Sequence, residues 1–132
     1  MLQADHFAFR VADLDASIRF YTEAFGLKLV LRELDEEHHE AYAFLELEGG
    51  NLELLQLLDE KNEPMPFDRP DVEPPYCPHL ALKTDDMGRL VEMAKDRSIP
   101  IVEGPLEIPG EVTWVYMSDP DNNVIEFIQW LK

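Results

Sequence analysis

The chain has 132 residues, 45% apolar and 30% charged, which suits one compact domain, or two small halves sharing a core, beneath an ordinary water-facing surface. Its 28 acidic residues outnumber 11 Lys plus Arg, leaving a formal charge of −17. Such a field repels phosphate backbones and anionic lipid, so nucleic-acid and membrane partners are excluded. No apolar run approaches the ~18 residues of a membrane span. The first residues lack the basic and apolar regions of a secretory leader, and the single Cys77 leaves no intrachain disulfide, so a cytoplasmic protein is expected.

Residues 5–12 alternate as a strand. Asp13 or Asp15 can cap the helix that follows. Ala16, Ile18, Phe20, Tyr21, Ala24 and Phe25 give that helix a broad apolar face, and Gly26 ends it. Residues 28–34, 41–48 and 51–58 read as strands, with Gly49-Gly50 as the turn of the last hairpin. Six of the ten prolines fall in residues 59–78, which marks a linker that resists both helix and sheet. Residues 79–84 form the next strand, and 86–97 a helix with Leu90, Val91 and Ala94 inward. Strands over 100–103, 111–118 and 123–130 follow, with Asp119-Pro120-Asp121-Asn122 as a turn. Module one is therefore 1–58, the linker 59–78 and module two 79–132, within a single domain of α+β class.

The two modules are internal repeats. A shift of 73 residues lays His6-Phe7-Ala8-Phe9-Arg10 on His79-Leu80-Ala81-Leu82-Lys83, and Asn51-Leu52-Glu53-Leu54-Leu55-Gln56 on Val124-Ile125-Glu126-Phe127-Ile128-Gln129. The same shift pairs Asp13 with Asp86 and Leu14 with Met87. Strand side chains alternate with period two, so His6, Ala8 and Arg10 share one face, as do His79, Ala81 and Lys83. These faces are the less apolar ones and are expected to line a cavity. Glu53 and Glu126 each interrupt an apolar strand, where an unpaired buried carboxylate is costly. Taken singly, each of the four reads as an ordinary surface or satisfied side chain. Recurring at one period in matching contexts, two imidazoles and two carboxylates suit a borderline divalent ion that keeps room for water.

The motifs His6-Phe7-Ala8-Phe9-Arg10-Val11-Ala12-Asp13-Leu14, Asn51-Leu52-Glu53-Leu54, Pro78-His79-Leu80-Ala81-Leu82 and Asp119-Pro120-Asp121-Asn122 leading into Ile125-Glu126-Phe127 resemble the vicinal oxygen chelate superfamily, and within it glyoxalase I. The resemblance covers nearly the whole chain. It implies two βαβββ modules forming a cupped mixed sheet around one divalent metal ion (Ni²⁺, Co²⁺, Zn²⁺ or Mn²⁺), commonly in a homodimer. It implies that His6, Glu53, His79 and Glu126 are the ligands. It further implies a lyase or isomerase acting on a small substrate with adjacent oxygens, through an enediolate. Glu126 is the first choice for the base that moves the proton and Glu53 the second.

Arg10 and Lys83 are repeat mates lying roughly 13 Å along the strand from the ligand histidines. They are candidates for holding a remote carboxylate of the substrate, and Arg10 resembles a glutathione-contacting arginine. Leu57 stands where glyoxalase I typically carries a glutathione-contacting asparagine, and the linker is unlike the usual substrate loop, so the resemblance does not extend to glutathione itself. Other reactions of the superfamily are the alternatives, namely an epimerase, a dioxygenase or a thiol transferase. A metal-free drug-binding protein of bleomycin-resistance type is the alternative from outside catalysis. Cys77 is expected to be inert, His38-His39 to be a solvated hairpin tip, and Trp114, Tyr116 and Trp130 to be packing residues.

Overall fold

A computed structural model describes residues 1–132. The chain divides into two compact units, Met1–Arg69 and Pro70–Lys132. In the first unit β1 (His6–Arg10) leads to α1 (Leu14–Phe25), then β2 (Lys28–Asp35), β3 (Glu40–Leu47) and β4 (Gly50–Leu57). The sheet order is β1-β4-β3-β2. β1 runs parallel to β4, and the other neighbours are antiparallel. The second unit repeats the plan with β5 (Leu80–Lys83), α2 (Met87–Asp96), β6 (Ile101–Ile108), β7 (Val112–Ser118) and β8 (Val124–Trp130), in the order β5-β8-β7-β6. Each unit is a βαβββ module of α+β class, and each sheet is mixed and cupped rather than closed.

The helices start and stop for local reasons. The Asp13 side chain accepts the Ala16 N–H and the Asp86 side chain accepts the Arg89 N–H, which satisfies an orphan donor in each first turn. Asp13 rather than Asp15 is thus the cap of α1. Gly26 closes α1 at φ +67 and donates to the Thr22 carbonyl, a left-handed position suited to glycine. The buried stripe of α1 is Leu14, Ser17, Ile18 and Tyr21. Phe20, Ala24 and Phe25 are only half-buried, so the packed face is narrower than the apolar one.

β4 alternates cleanly. Leu52, Leu54 and Gln56 are buried, while Asn51, Glu53, Leu55 and Leu57 are half-buried on the other face. The buried face meets α1 through a specific bond, because the Leu14 N–H donates to Gln56 Oε1 at 2.9 Å. The second unit repeats it: the Met87 N–H donates to Gln129 Oε1 at 3.0 Å. Each glutamine thereby ties a sheet's inner strand to the first turn of its helix.

Three boundaries differ from expectation. β6 does not stop at 103 but continues to Ile108, with register shifts between Ile101 and Leu106. Gly104-Pro105 looks like a strand breaker, yet Gly104 sits in this bulge at φ +103, and a Cβ there would stand 3.0 Å from the Trp114 carbonyl oxygen. The β3–β4 turn is Glu48-Gly49, since Gly50 already pairs with Leu47. His79 immediately precedes β5 rather than opening it. No helix is long and apolar enough to cross a membrane.

Candidate active site

In the first unit His6 opens β1 and Glu53 lies on the adjacent β4, where it pairs with Ala8. His6 Nε2 stands 3.5 Å from Glu53 Oε1. The other ring nitrogen, Nδ1, is 2.7 Å from Asp5 Oδ1. An ionised carboxylate only accepts, so Nδ1 is the nitrogen that donates to Asp5, and Nε2 is the one that faces Glu53. The hydrogen bond to Asp5, helped by the charges of Glu53 and Asp5 and opposed by burial, raises the His6 pKa above the ordinary imidazole value. Phe44, directly across from Glu53, stacks on the His6 ring at 5.4 Å.

The second unit builds the same pair more tightly. His79 Nε2 is 2.9 Å from Glu126 Oε1, and its Nδ1–H donates to the Tyr76 carbonyl at 2.9 Å. A carbonyl can only accept, so here too Nε2 is the nitrogen left to face the carboxylate. Tyr116 pairs with Glu126 across the strands, and its ring meets His79 edge-on at 5.5 Å. Burial first, then the charges of Glu126, Glu103 and Cys77, push the Tyr116 phenol above its usual pKa, against an opposing hydrogen bond with Trp114.

In both units the imidazole Nε2 therefore faces a carboxylate oxygen. Two lone pairs pointing at each other are stable only with a cation between them, either a proton or a metal ion. Orientation of the imidazole through Nδ1 by a carboxylate or carbonyl is the usual outer shell of a metal-binding histidine. One imidazole with one carboxylate is donor chemistry that suits a divalent ion, and each unit carries such a pair: His6 with Glu53 in the first and His79 with Glu126 in the second. Neither unit by itself gathers three or more His, Cys, Asp or Glu side chains into a metal-holding group.

The remaining expected site residues fall as follows. Arg10 is exposed at the end of β1 with its guanidinium 5.0 Å over the Phe67 ring. Lys83 is exposed at the end of β5. Cys77 is exposed, with its thiol 3.5 Å from the Pro75 carbonyl. His38 is exposed and bonds Asp35, but His39 is half-buried against Asn62 at 2.7 Å, so only half of that hairpin tip is solvated. Trp130 is 57% exposed, which corrects its reading as a packing residue. Asp5, Phe44 and Tyr76 were not singled out from sequence. Asp5 adjoins His6 and was the one that could have been noticed.

Known proteins place the fold in a family. Residues 3–127 match the family described as the Glyoxalase/Bleomycin resistance protein/Dioxygenase superfamily. The chain belongs to that superfamily. It is 35% identical over 127 residues to lactoylglutathione lyase GLX1 of Arabidopsis thaliana, covering 94% of this chain and 43% of that protein. The chain thus spans less than half the length of such plant relatives. It is 29% identical to the uncharacterized protein YwbC of Bacillus subtilis, with 95% of each chain covered. Among solved structures, a glyoxalase I mutant from Zea mays superposes with a TM-score of 0.73 at 26% identity, covering 96% of this chain and 45% of that one. The superfamily membership agrees with the resemblance drawn from the repeated His and Glu motifs.

Proposed function

We propose that this superfamily member is a divalent-metal-dependent lyase or isomerase of glyoxalase I type, acting on a small substrate with adjacent oxygens through an enediolate. One observation carries the reading. In each unit a histidine is oriented through Nδ1 so that Nε2 faces a glutamate on the neighbouring strand. His6, Glu53, His79 and Glu126 are the proposed ligands, two from each unit, drawn from one chain or from two copies in a homodimer. The ion would be Ni²⁺, Co²⁺, Zn²⁺ or Mn²⁺, because imidazole plus carboxylate suits these borderline cations. When bound, it would supply Lewis-acid stabilisation of negative charge on the substrate's oxygens.

The protein's own groups do the rest in this proposal. Glu126 takes the proton from one carbon and returns it to the neighbour, and Glu53 is the second choice. Each imidazole has one aromatic neighbour, Phe44 stacked on His6 and Tyr116 edge-on to His79, which helps hold the rings in place. Arg10 and Lys83 would receive a remote carboxylate. The 35% identity to a protein named lactoylglutathione lyase supports the reaction class, while Leu57 argues for a thiol other than glutathione.

The test is turnover of the hemithioacetal of methylglyoxal formed with several thiols, under each of the four metals, together with metal content. Activity that needs the metal and disappears in His79→Ala is the expected result. Inactivity with every thiol and metal would remove the glyoxalase reading. A protein that also takes up no divalent ion would point instead to a metal-free binding protein. Mixing inactive His6→Ala and His79→Ala chains tells whether ligands are shared: recovered activity means that two copies build the site.

A further inference from the structure

Tyr76 lies in the proline-rich stretch before β5, yet it is held at several points. Its backbone N–H donates to the Glu73 carbonyl at 2.9 Å. Its ring packs on Tyr116 at 4.7 Å, and its hydroxyl donates to Glu103 Oε1 on β6 at 3.4 Å. Its backbone occupies the left-handed region at φ +62, which is uncommon for an aromatic residue. That conformation sets the direction of the Tyr76 carbonyl, which accepts from His79 Nδ1 at 2.9 Å. The ring that Tyr76 packs on, Tyr116, is also the ring that meets His79 edge-on and stands across from Glu126.

We infer that Tyr76 is the positioning residue of His79: its side chain clamps a left-handed backbone whose carbonyl fixes the proton on Nδ1 and leaves Nε2 to face Glu126. The His6 side has no such device. There the orienting group is the Asp5 carboxylate, whose side chain is 83% exposed, and the His6–Glu53 distance is longer at 3.5 Å. Fixing one imidazole through a backbone carbonyl, with the Tyr76 side chain tied to β6 and β7, removes rotational freedom that the other imidazole keeps. The segment that reads as a mere linker thus ends in a part of the site.

The test has two arms on the full-length protein. In metal-free protein the tautomer of the His79 ring and the exchange protection of its Nδ1–H are read from nitrogen–proton correlation NMR of the rings. The expected result is a proton protected from exchange in wild type and in Tyr76→Phe, and lost in Tyr76→Val, which removes the ring and disfavours positive φ. A wild-type proton exchanging as fast as that of free imidazole overturns the inference, whether or not Tyr76→Val folds. In the second arm Zn²⁺ affinity is measured by chelator competition. Tyr76→Val is expected to lose about 10–100-fold and Tyr76→Phe to stay near wild type. Equal affinities in folded Tyr76→Val and wild type overturn the inference. This arm rests on the metal reading proposed above. Should wild type bind no Zn²⁺, that reading fails, and the proton measurement still decides the role of Tyr76.

Discussion

His79 Nε2 stands 2.9 Å from Glu126 Oε1, whereas its repeat mate His6 Nε2 stands 3.5 Å from Glu53 Oε1. The two halves of the proposed ligand set are related by sequence but differ in tightness. Replacing Glu126 by Gln keeps the shape and removes the base. Turnover is expected to fall about 10²–10⁴-fold, the usual worth of a positioned acid or base, with a smaller loss in Glu53→Gln. The check is steady-state kinetics on metal-loaded protein. A Glu53→Gln variant that loses more than Glu126→Gln would reverse the two roles.

Gly50 brings strand β4 against the segment that carries His6. A Cβ at Gly50 would stand 2.9 Å from the Asp5 carbonyl oxygen, which already accepts the Asn51 N–H at 2.9 Å. Gly50→Ala must therefore push Asp5 away, and Asp5 orients His6. A stability loss of about 1–3 kcal/mol is expected, as for overpacking generally, together with weaker divalent-metal binding. Urea melts and metal titration on one sample read both effects, and an unchanged metal affinity would separate Asp5 from the site.

Gln56 and Gln129 offer a prediction about stability alone. Gln56→Leu leaves the buried Leu14 N–H without its acceptor, at a cost of about 1–3 kcal/mol. Gln129→Leu should cost less, since its bond to Met87 is only partly buried. Denaturant midpoints decide the order, and equal losses would contradict the burial argument.

How far the sequence could reveal this follows from the same residues. The His, Glu and Gln pairs were legible because each recurs at 73 residues. Phe44 and Tyr116 occupy equivalent places across from Glu53 and Glu126, yet Tyr116 follows Phe44 by 72 residues. The Glu48-Gly49 turn is shorter than the loop over 119–123, where Asp119 Oδ1 accepts the N–H groups of Asp121 and Asn123. That unequal hairpin slips the alignment by one residue and hides the aromatic pair. Tyr76 was illegible for a different reason: a left-handed conformation at a tyrosine leaves no compositional mark. The continuation of β6 past 103 was illegible because a bulge and a strand end use the same residue types, here Gly104-Pro105.

The β2–β3 hairpin carries a pH prediction. The Asp35 carboxyl lies below its usual pKa because it accepts the His38 backbone N–H first, then the His38 side chain. A depressed carboxylate contributes stability above its unfolded pKa of about 3.9, and that contribution is lost as pH falls through the lower folded value. Wild type should therefore lose more stability than Asp35→Asn on acidification below about pH 4. Parallel acid titrations of the two proteins, followed by hairpin NMR shifts, provide the check, and superimposable curves would refute it.

Arg10 provides the last. If it receives a substrate carboxylate, Arg10→Ala should raise KM about tenfold for an anionic substrate, the worth of one charged hydrogen bond, and leave kcat and the KM of an uncharged analogue alone. An unmoved KM would leave Arg10 with its packing over Phe67.

β4 and β8 each serve two masters. On one face they hold Glu53 or Glu126, and on the other Gln56 or Gln129 holds the helix. Side chains change faces at every residue, so a slip by one position would bury the carboxylate and expose the amide together. The glutamine thus acts as a proofreading mark for the glutamate three residues before it. A chain that mispairs these strands cannot start its helix correctly, so the chemistry of the site is checked by the folding of the opposite face.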